Sequence, residues 1–166
     1  TFDRIGTNFL YSLNYSGTDS VIDNNYLVIG ADTGGSNYGN VYIHHVGNGT
    51  LIKQLNGTQR TNFRLGFHVA FRYPYIVASA PFLDGGYVYV YDMSNNYQVV
   101  STIGGQNSGE RLGYSISLSP DNLLLAGAYL ANSNTGRVDL YDFLVNNSAI
   151  YSWYGSNTGV QCGYSL

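Results

Sequence analysis

The stretch that decides the fold is residues 64–105, RLGFHVAFRYPYIVASAPFLDGGYVYVYDMSNNYQVVSTIGG. It contains four short segments rich in β-branched and aromatic residues, separated by Pro, Gly and Asn. Segments of this kind between turn residues are typical of β-strands. In the third segment, GYVYVY (86–91), Val88 and Val90 recur at a period of two, so both valines lie on one face of a strand. The stretch therefore predicts four strands joined by tight turns.

The same four-segment pattern occurs three times. A short three-residue motif, which we call the entry phrase, begins each of the three repeats and occurs once more at the end of the chain: Arg4-Ile5-Gly6, Arg64-Leu65-Gly66, Arg111-Leu112-Gly113 and Gln161-Cys162-Gly163. The glycines of these phrases are spaced by 60, 47 and 50 residues. Second strands are predicted at YLVIGA (26–31), YIVASA (75–80) and LLLAGA (123–128), third strands at 39–44, 86–91 and 136–141, and fourth strands at 50–55, 97–103 and 149–154.

Tandem four-stranded units of about 50 residues are typical of β-propeller blades. An immunoglobulin-like sandwich would lack the repetition and would carry two cysteines, whereas Cys162 is the single cysteine here. A parallel β-helix would repeat over a much shorter period. We therefore predict an all-β chain of β-propeller blades, each with four antiparallel strands, as one segment spanning 1–166. Three full blades (about 4–60, 61–110 and 111–160) are followed by the first strand of a fourth at 161–166.

Particular motifs resemble a known family. Leu65-Gly66, then 78–81 and then 86–91 resemble an FG-GAP repeat, the blade motif of integrin α-subunit propellers. A second match runs through Leu112-Gly113, 126–128 and 136–138, and a looser third one begins at Ile5-Gly6. The resemblance covers nearly the whole chain. The turn at 119–122 is similar to the SPDG turn of WD40 blades, but the longer period and the missing Gly-His and Trp-Asp pairs favour FG-GAP.

This resemblance implies an extracellular adhesion module and a ligand face. By likeness to integrin propellers, that face is the rim that carries the connections from strand two to three and from strand four to the next blade. The candidate ligand-face residues on this rim are Tyr38, Phe82, Asp84, Tyr129 and Asn132. Aromatic side chains beside Asn and Asp are suited to gripping a protein or stacking on a sugar.

Many FG-GAP blades carry a DxDxDG calcium loop between strands one and two. The corresponding segments here are 14–25, 72–74 and 119–122. The last two are too short and too poor in acidic residues for calcium, which needs several oxygen ligands. The first offers Asp19 and Asp23 without the motif's spacing or glycine, so we interpret it as a solvated loop insertion. The sequence therefore supports no calcium site, no other metal site and no cofactor.

Four N-glycosylation sequons are present, at Asn14, Asn48, Asn56 and Asn146. The predicted strand order places Asn14, Asn48 and Asn146 on the rim opposite the ligand face. Each of these positions is compatible with a carried glycan if the chain is secreted.

Composition excludes some partners. Seven basic and ten acidic residues give a net charge of -3, so no basic patch for nucleic acid is expected. No run of 18 apolar residues predicts a membrane-spanning segment. Lys53 is the single lysine, and Asn, Ser, Thr, Gly and Tyr supply the polar surface, which is typical of secreted or cell-surface β proteins.

The catalytic inventory is small. His44 and His45 point to opposite faces of one strand, and His68 is expected to be a packed or hydrogen-bonded histidine of an inner strand. No nucleophile elbow, HExxH, phosphate loop or CxxC motif is present. We therefore predict a non-enzymatic protein, with a propeller hydrolase as the outlying alternative.

The predicted function is adhesion or assembly through contacts with a protein partner or with further copies of the chain. Two alternatives stay open: a lectin-like propeller that binds glycans, and a structural subunit of an extracellular filament or viral surface. Because three blades do not close a ring, the segment either belongs to a longer propeller or is completed by another copy or partner.

Overall fold

The computed structural model describes residues 18–60 and 62–166. These residues form three four-stranded sheets. The strands of the first sheet are β1 (Asp19–Asp23), β2 (Tyr26–Ala31), β3 (Asn40–His45) and β4 (Leu51–Asn56). The second sheet contains β5 (Val69–Arg72), β6 (Tyr75–Ala80), β7 (Tyr87–Asp92) and β8 (Gln98–Gly104), and the third contains β9 (Leu112–Leu118), β10 (Leu123–Ala128), β11 (Arg137–Asp142) and β12 (Tyr151–Tyr154).

Within each sheet the strands are antiparallel and neighbours in sequence, so every blade is a simple up-and-down meander. Helical structure in the described residues is confined to single turns, α1 (Gly34–Asn37) and a 3-10 turn at Met93–Asn95. The equivalent segment Ala131–Asn134 is a turn in which Asn132, Ser133 and Asn134 have positive φ. None of the described helices has the length and apolar character needed to cross a membrane. The predicted four-stranded antiparallel units are confirmed, although the three sheets do not form a closed ring.

The interpretation of residues 14–25 as a loop insertion between strands one and two is wrong for its described part. Asp19–Asp23 is the first strand of the first sheet, and it pairs with β2 in a continuous register from Asp19 opposite Gly30 to Asp23 opposite Tyr26. Asn24, with a φ of 53°, supplies the left-handed turn residue between the two strands. The strand begins and ends with an aspartate, so its sequence DSVID lacks the alternation of apolar and polar residues that predicts a strand. Asn14 lies outside the described residues.

Residues 161–166 do not form the predicted first strand of a fourth blade. They contain an isolated parallel bridge between Gly136 and Cys162, and no further ladder is present there. The same kind of bridge joins Gly39 to Leu65 at the entry of the second sheet. The entry phrase is therefore a contact between repeats at the start of the inner strand, which begins at Val69 in the second sheet and at Leu112, inside the phrase, in the third.

This contact has one geometry at the three entry phrases that the structure describes. The amide of the phrase's middle residue donates to a carbonyl just before the preceding sheet's third strand: Leu65 to Tyr38 (3.1 Å), Leu112 to Gly85 (2.8 Å) and Cys162 to Thr135 (3.0 Å). The phrase's glycine also passes very close to the preceding second strand. A Cβ on Gly30 would lie 2.0 Å from the carbonyl oxygen of Gly66, so a side chain cannot fit there.

The hydrophobic core lies between successive sheets. One cluster joins Val28, Val41 and Ile43 of the first sheet to Phe71 and Ile76 of the second. A second cluster joins the equivalent face of the second sheet, including Val77, Val88 and Val90, to the third sheet. The second strands are almost fully buried, as their apolar composition predicts. The packing of successive sheets against each other therefore positions the loops at the two ends of the strands, which form the two rims.

Candidate functional site

Five aromatic side chains meet at one rim, where the inner strands begin and the connections from second to third strands emerge. We call Phe67, Phe82, Tyr114, Tyr129 and Tyr164 the rim cluster. Phe67, Tyr114 and Tyr164 each follow the glycine of an entry phrase, whereas Phe82 and Tyr129 follow the ends of β6 and β10. The antiparallel order of the inner two strands brings these chain positions to the same end of the blades.

The rings of the rim cluster form a continuous chain of contacts. Phe67 lies 5.0 Å from Phe82 and 5.1 Å from Tyr114 between ring centroids. Tyr114 lies 4.4 Å from Tyr129 and 5.0 Å from Tyr164, and the last two are 5.3 Å apart. These are favourable distances for aromatic pairs. Tyr164 is 53% exposed and the other four are partly buried, so the cluster is an ordered surface that solvent still reaches.

Tyr114 lies at the centre of this cluster. Its hydroxyl donates a long hydrogen bond of 3.5 Å to the Tyr164 hydroxyl. This hydrogen bond, together with burial and with the neighbouring phenols of Tyr164 and Tyr129, raises the pKa of Tyr114 to about 12. Tyr114 therefore stays protonated over the physiological range and offers a hydroxyl group rather than a charge.

Two arginines border the cluster. The guanidinium carbons of Arg64 and Arg111 lie 4.1 Å and 5.0 Å from the centroid of the Phe82 ring. Both distances are within the range of cation–π attraction. Arg64 is paired with the buried Asp32, whose carboxylate also accepts from the Thr18 hydroxyl. The rim thus combines an apolar centre with cationic edges.

The structure brings two of the five predicted ligand-face residues, Phe82 and Tyr129, into this cluster. Asp84 is exposed on the same connection, where it accepts from the Tyr87 hydroxyl at 3.3 Å and lies 3.6 Å from Arg60. Tyr38 is partly buried and Asn132 is exposed with a φ of 51°. Within the described ranges, no ring contact or hydrogen bond joins Tyr38, Asp84 or Asn132 to the cluster.

Sequence reasoning missed Phe67, Tyr114 and Tyr164 as site residues. A signal for them exists, because an aromatic residue follows the entry-phrase glycine in all three described cases. The alternation of Phe67 with Val69 and Phe71, and of Tyr114 with Ile116 and Leu118, predicts an inner strand in each repeat and gives no sign of a surface site. In the structure β5 begins two residues later, at Val69, which leaves Phe67 at the rim.

An open cavity of about 330 Å³ lies near the other end of the inner strands. Its lining comes from 21–23, 69–72 and 116–118 and includes Asp23 and Arg72. Asp19, the second acidic residue weighed for calcium, is already used: its Oδ2 lies 3.1 Å from Nδ1 of His68 and accepts from the Val69 amide at 2.9 Å. His68 is thus hydrogen-bonded, as predicted, although it precedes the strand. Among the described residues, no group of three or more His, Cys, Asp and Glu side chains is placed to hold a metal ion.

The described sequons are all exposed, and they lie at both rims. Asn48 is in the turn between β3 and β4, and Asn146 is in the connection between β11 and β12, both opposite the rim cluster. Asn56 is the last residue of β4 and lies toward the cluster's rim. In the sequon at Asn48, the side-chain oxygen Oδ1 of Asn48 accepts a hydrogen bond of 2.8 Å from the hydroxyl of Thr50, the hydroxyl residue of the same sequon.

No family model and no curated protein matches the chain. Solved structures share its backbone arrangement. The computationally designed Ika8 protein has a TM-score of 0.63 at 18% identity, over 91% of this chain and 39% of that chain.

A eukaryotic initiation factor has a TM-score of 0.64 at 14% identity, over 87% of this chain and 34% of that one. A chain of the mitotic checkpoint complex has a TM-score of 0.56 at 16% identity, over 78% and 33%. This chain therefore has a β-propeller-like fold and spans between 33% and 39% of the length of these structures.

Proposed function

We propose that the protein is a non-catalytic, extracellular or cell-surface β-propeller module of the FG-GAP type that serves adhesion or assembly through protein–protein contacts at the rim cluster. The observation that carries this proposal is the cluster itself. Five aromatic rings in mutual contact stay partly open to solvent at one rim, bordered by Arg64 and Arg111.

The composition of the rim cluster supports a binding role. Aromatic residues and arginine are the types most enriched in the energetically dominant centres of protein interfaces. Their rings already contact one another, so little side-chain entropy remains to be lost when a partner binds. The sequons at Asn48 and Asn146 fall on the opposite rim, where a carried glycan leaves the cluster accessible.

The test compares two exposed tyrosines. Tyr164 is 53% exposed in the rim cluster, and Tyr151 is 63% exposed on the outer strand β12. Beads coated with the chain, with Tyr164→Ser or with Tyr151→Ser are measured for adhesion to cell monolayers. We expect Tyr164→Ser to weaken adhesion about tenfold, the loss of an interface hot spot, and Tyr151→Ser to leave it unchanged. Melting temperatures of both variants equal to that of the wild-type chain show that the fold is intact.

Enzymatic treatment of the cells identifies the class of partner. Adhesion that protease removes and glycosidase leaves supports the proposal, whereas adhesion that glycosidase removes supports the lectin-like alternative. The outer strand β12 also exposes Trp153 (50%) and Tyr154 (56%), which favours association between copies as a second route to assembly. Bead-to-bead clumping that is lost in Tyr151→Ser and kept in Tyr164→Ser would identify that route.

A further inference from the structure

Each entry phrase after the first packs against the preceding repeat, and the three junctions formed in this way differ at one pair of equivalent positions on the rim. The first residue of the entry phrase is Arg64, Arg111 and Gln161 in turn. The residue that follows the last alanine of the second strand is Asp32, Pro81 and Tyr129. Arg64 Nε donates to Asp32 Oδ2 at 2.8 Å, so the first pair is a charged one that is satisfied internally. The third pair is neutral on both sides.

The second pair keeps the arginine and lacks the carboxylate. Arg111 Nη1 has only the Pro81 carbonyl, at a long 3.5 Å, where Arg64 has an aspartate. Within residues 18–60 and 62–166, no carboxylate oxygen lies within ion-pair distance of Arg111. The adjacent Glu110 points elsewhere, because its Oε2 accepts from Arg137 at 3.0 Å.

Arg111 is a partly exposed residue, and its guanidinium carbon lies beside the rim cluster, 5.0 Å from the Phe82 ring centroid. A guanidinium presents several donors in a planar fork that matches a carboxylate. Arg64 is the equivalent residue at the preceding junction and lies beside the same Phe82 ring. Its guanidinium already binds a carboxylate, that of Asp32.

We propose that Arg111 and the rim cluster form a binding site for a carboxylate next to an apolar side chain, supplied by a protein partner as an Asp, a Glu or a chain terminus. The partner's carboxylate accepts from the Arg111 guanidinium, as Asp32 accepts from Arg64, and the apolar side chain packs on the cluster. This inference rests on the proposed function and specifies the chemistry of the partner.

The shape of the cluster favours a protein segment over an acidic sugar. Its rings are inclined to one another by 83° for Phe67 and Phe82, 54° for Tyr114 and Tyr129, and 86° for Tyr129 and Tyr164. Such rings leave clefts between edges and faces, which receive a side chain, and they do not present the single flat platform on which a sugar ring stacks. The chain's net charge of -3 also disfavours a polyanionic glycan.

The test uses N-acetyl-L-phenylalanine, which carries a carboxylate beside an aromatic ring, and its neutral primary amide. Both are titrated into the isotope-labelled chain by NMR, with the Arg111 Nε–H signal as reporter. We expect the acid to bind about tenfold more tightly than the amide, the value of one charge-assisted hydrogen-bonded pair. Arg111→Gln, which introduces the residue found at the equivalent position 161, should abolish this preference. Arg72→Gln removes the same charge at the opposite rim and should keep it.

A second variant copies the pair formed by Asp32 and Arg64. Pro81→Asp should give Arg111 a carboxylate of its own, so that the acid binds no better than the amide while binding of the amide is unchanged. The inference is overturned if acid and amide bind the wild-type chain equally, if neither binds, or if Arg111→Gln keeps the preference. Tighter binding of glucuronic acid than of N-acetyl-L-phenylalanine would overturn the protein assignment. In each case the effect of Tyr164→Ser on cell adhesion still decides the proposed function separately.

Discussion

Phe63 and Glu110 occupy equivalent positions, each directly before the arginine of an entry phrase, and each is buried, with 3% and 4% of its surface exposed. One is an apolar ring and the other a carboxylate. Both close the crevice between the connecting segment and the sheet that follows. We call them the apolar seal and the ionic seal.

The apolar seal rests on tyrosines. Phe63 lies 5.7 Å from Tyr89 between ring centroids, and Tyr87, Tyr89 and Tyr91 form a ladder along β7 with spacings of 6.1 Å and 6.4 Å. Burial raises the pKa of Tyr89 and of Tyr91, so these two phenols stay uncharged. This seal is held by packing and by no ion pair.

The ionic seal uses the equivalent positions of β11. Glu110 Oε2 accepts from Arg137 at 3.0 Å, and Arg137 Nε donates to Asp139 at 2.7 Å. Tyr141 donates its hydroxyl to the same Asp139 oxygen at 3.1 Å. Arg137 is 1% exposed and Asp139 is 0% exposed. The two sheets therefore fill the equivalent place with different chemistry, packed rings in the second and a buried ion network in the third.

The largest expected effect comes from breaking the ionic seal on one side. Arg137→Met keeps much of the side-chain volume and leaves Glu110 and Asp139 buried without their cation. Loss of one partner from a buried ion network costs about 3–5 kcal/mol. The free energy of unfolding from urea titration measures it. Phe63→Ala is the matched test of the apolar seal, and we expect about 3–5 kcal/mol there as well, because truncation of a buried Phe leaves a cavity.

Similar losses in the two variants would support the view that both residues serve the same structural purpose. A loss below about 1 kcal/mol in Arg137→Met, the range of exposed ion pairs, would show that water reaches the ionic seal and that the comparison is wrong. Arg72→Met is the control for simple loss of a positive charge, since Arg72 is exposed on the opposite rim.

The two seals also show where sequence reasoning stops. The strands were predictable because their apolar positions alternate and Gly, Asn and Pro punctuate them, and the third strands at 40–45, 87–92 and 137–142 match the predicted segments within one residue. In the sequence, the face of β11 that carries Arg137 and Asp139 differs from the apolar Val138 and Leu140 face only in being polar, which does not indicate burial. It is buried, because Glu110 arrives from the preceding connection, and period-two patterning carries no information on such a partner.

The candidate site was predictable to a similar degree. Strand order sorted the connections into two rims, the likeness to integrin propellers favoured one of them as the ligand face, and Phe82 and Tyr129 of that rim lie in the cluster. Phe67, Tyr114 and Tyr164 were missed, since an aromatic residue in a strand-like segment indicates core packing as readily as a surface site. The difference between Arg64 and Arg111 is visible in the sequence only after the repeats are aligned on the structure.

A smaller effect is expected when one seal is exchanged for the other. The triple variant Glu110→Phe, Arg137→Tyr and Asp139→Tyr gives the third sheet the side chains of the second at equivalent positions. Well-packed apolar replacements of a buried ion network are often neutral or stabilising. We therefore expect the free energy of unfolding to stay within about 1 kcal/mol of wild type, far from the loss in Arg137→Met alone.

The exchange fails in an informative way if the triple variant is as unstable as Arg137→Met. That result would mean that the crevice beside β11 has a shape specific to the ionic seal. Ser152 donates to Asp139 Oδ1 at 2.6 Å and would lose its acceptor in the triple variant, so a fourth change, Ser152→Ala, separates this cost from a packing defect.

The smallest expected effect is a difference in acid sensitivity between the seals. Burial alone would raise the pKa of Glu110, but the hydrogen bonds from Asn107 and Arg137 and the charge of Arg137 outweigh it and hold the pKa below its ordinary value of 4.5. A carboxyl whose pKa is lower in the folded state stabilises the fold above pH 4.5, and that contribution is lost as the pH falls through the lowered value. The triple variant lacks this carboxyl, so its stability should fall less steeply below pH 4.5.

Asp19 makes the difference small and provides the control. Burial also opposes its ionisation, yet the hydrogen bonds from His68 and the Val69 amide lower its pKa below 3.8, so it titrates in both proteins. Urea titrations between pH 3 and pH 7 should therefore show a residual acid loss in the triple variant that Asp19→Asn reduces further. Identical acid profiles for wild type and triple variant would show that Glu110 binds its proton equally in the folded and unfolded chains, and hence that the ionic seal is held by its geometry without net charge stabilisation.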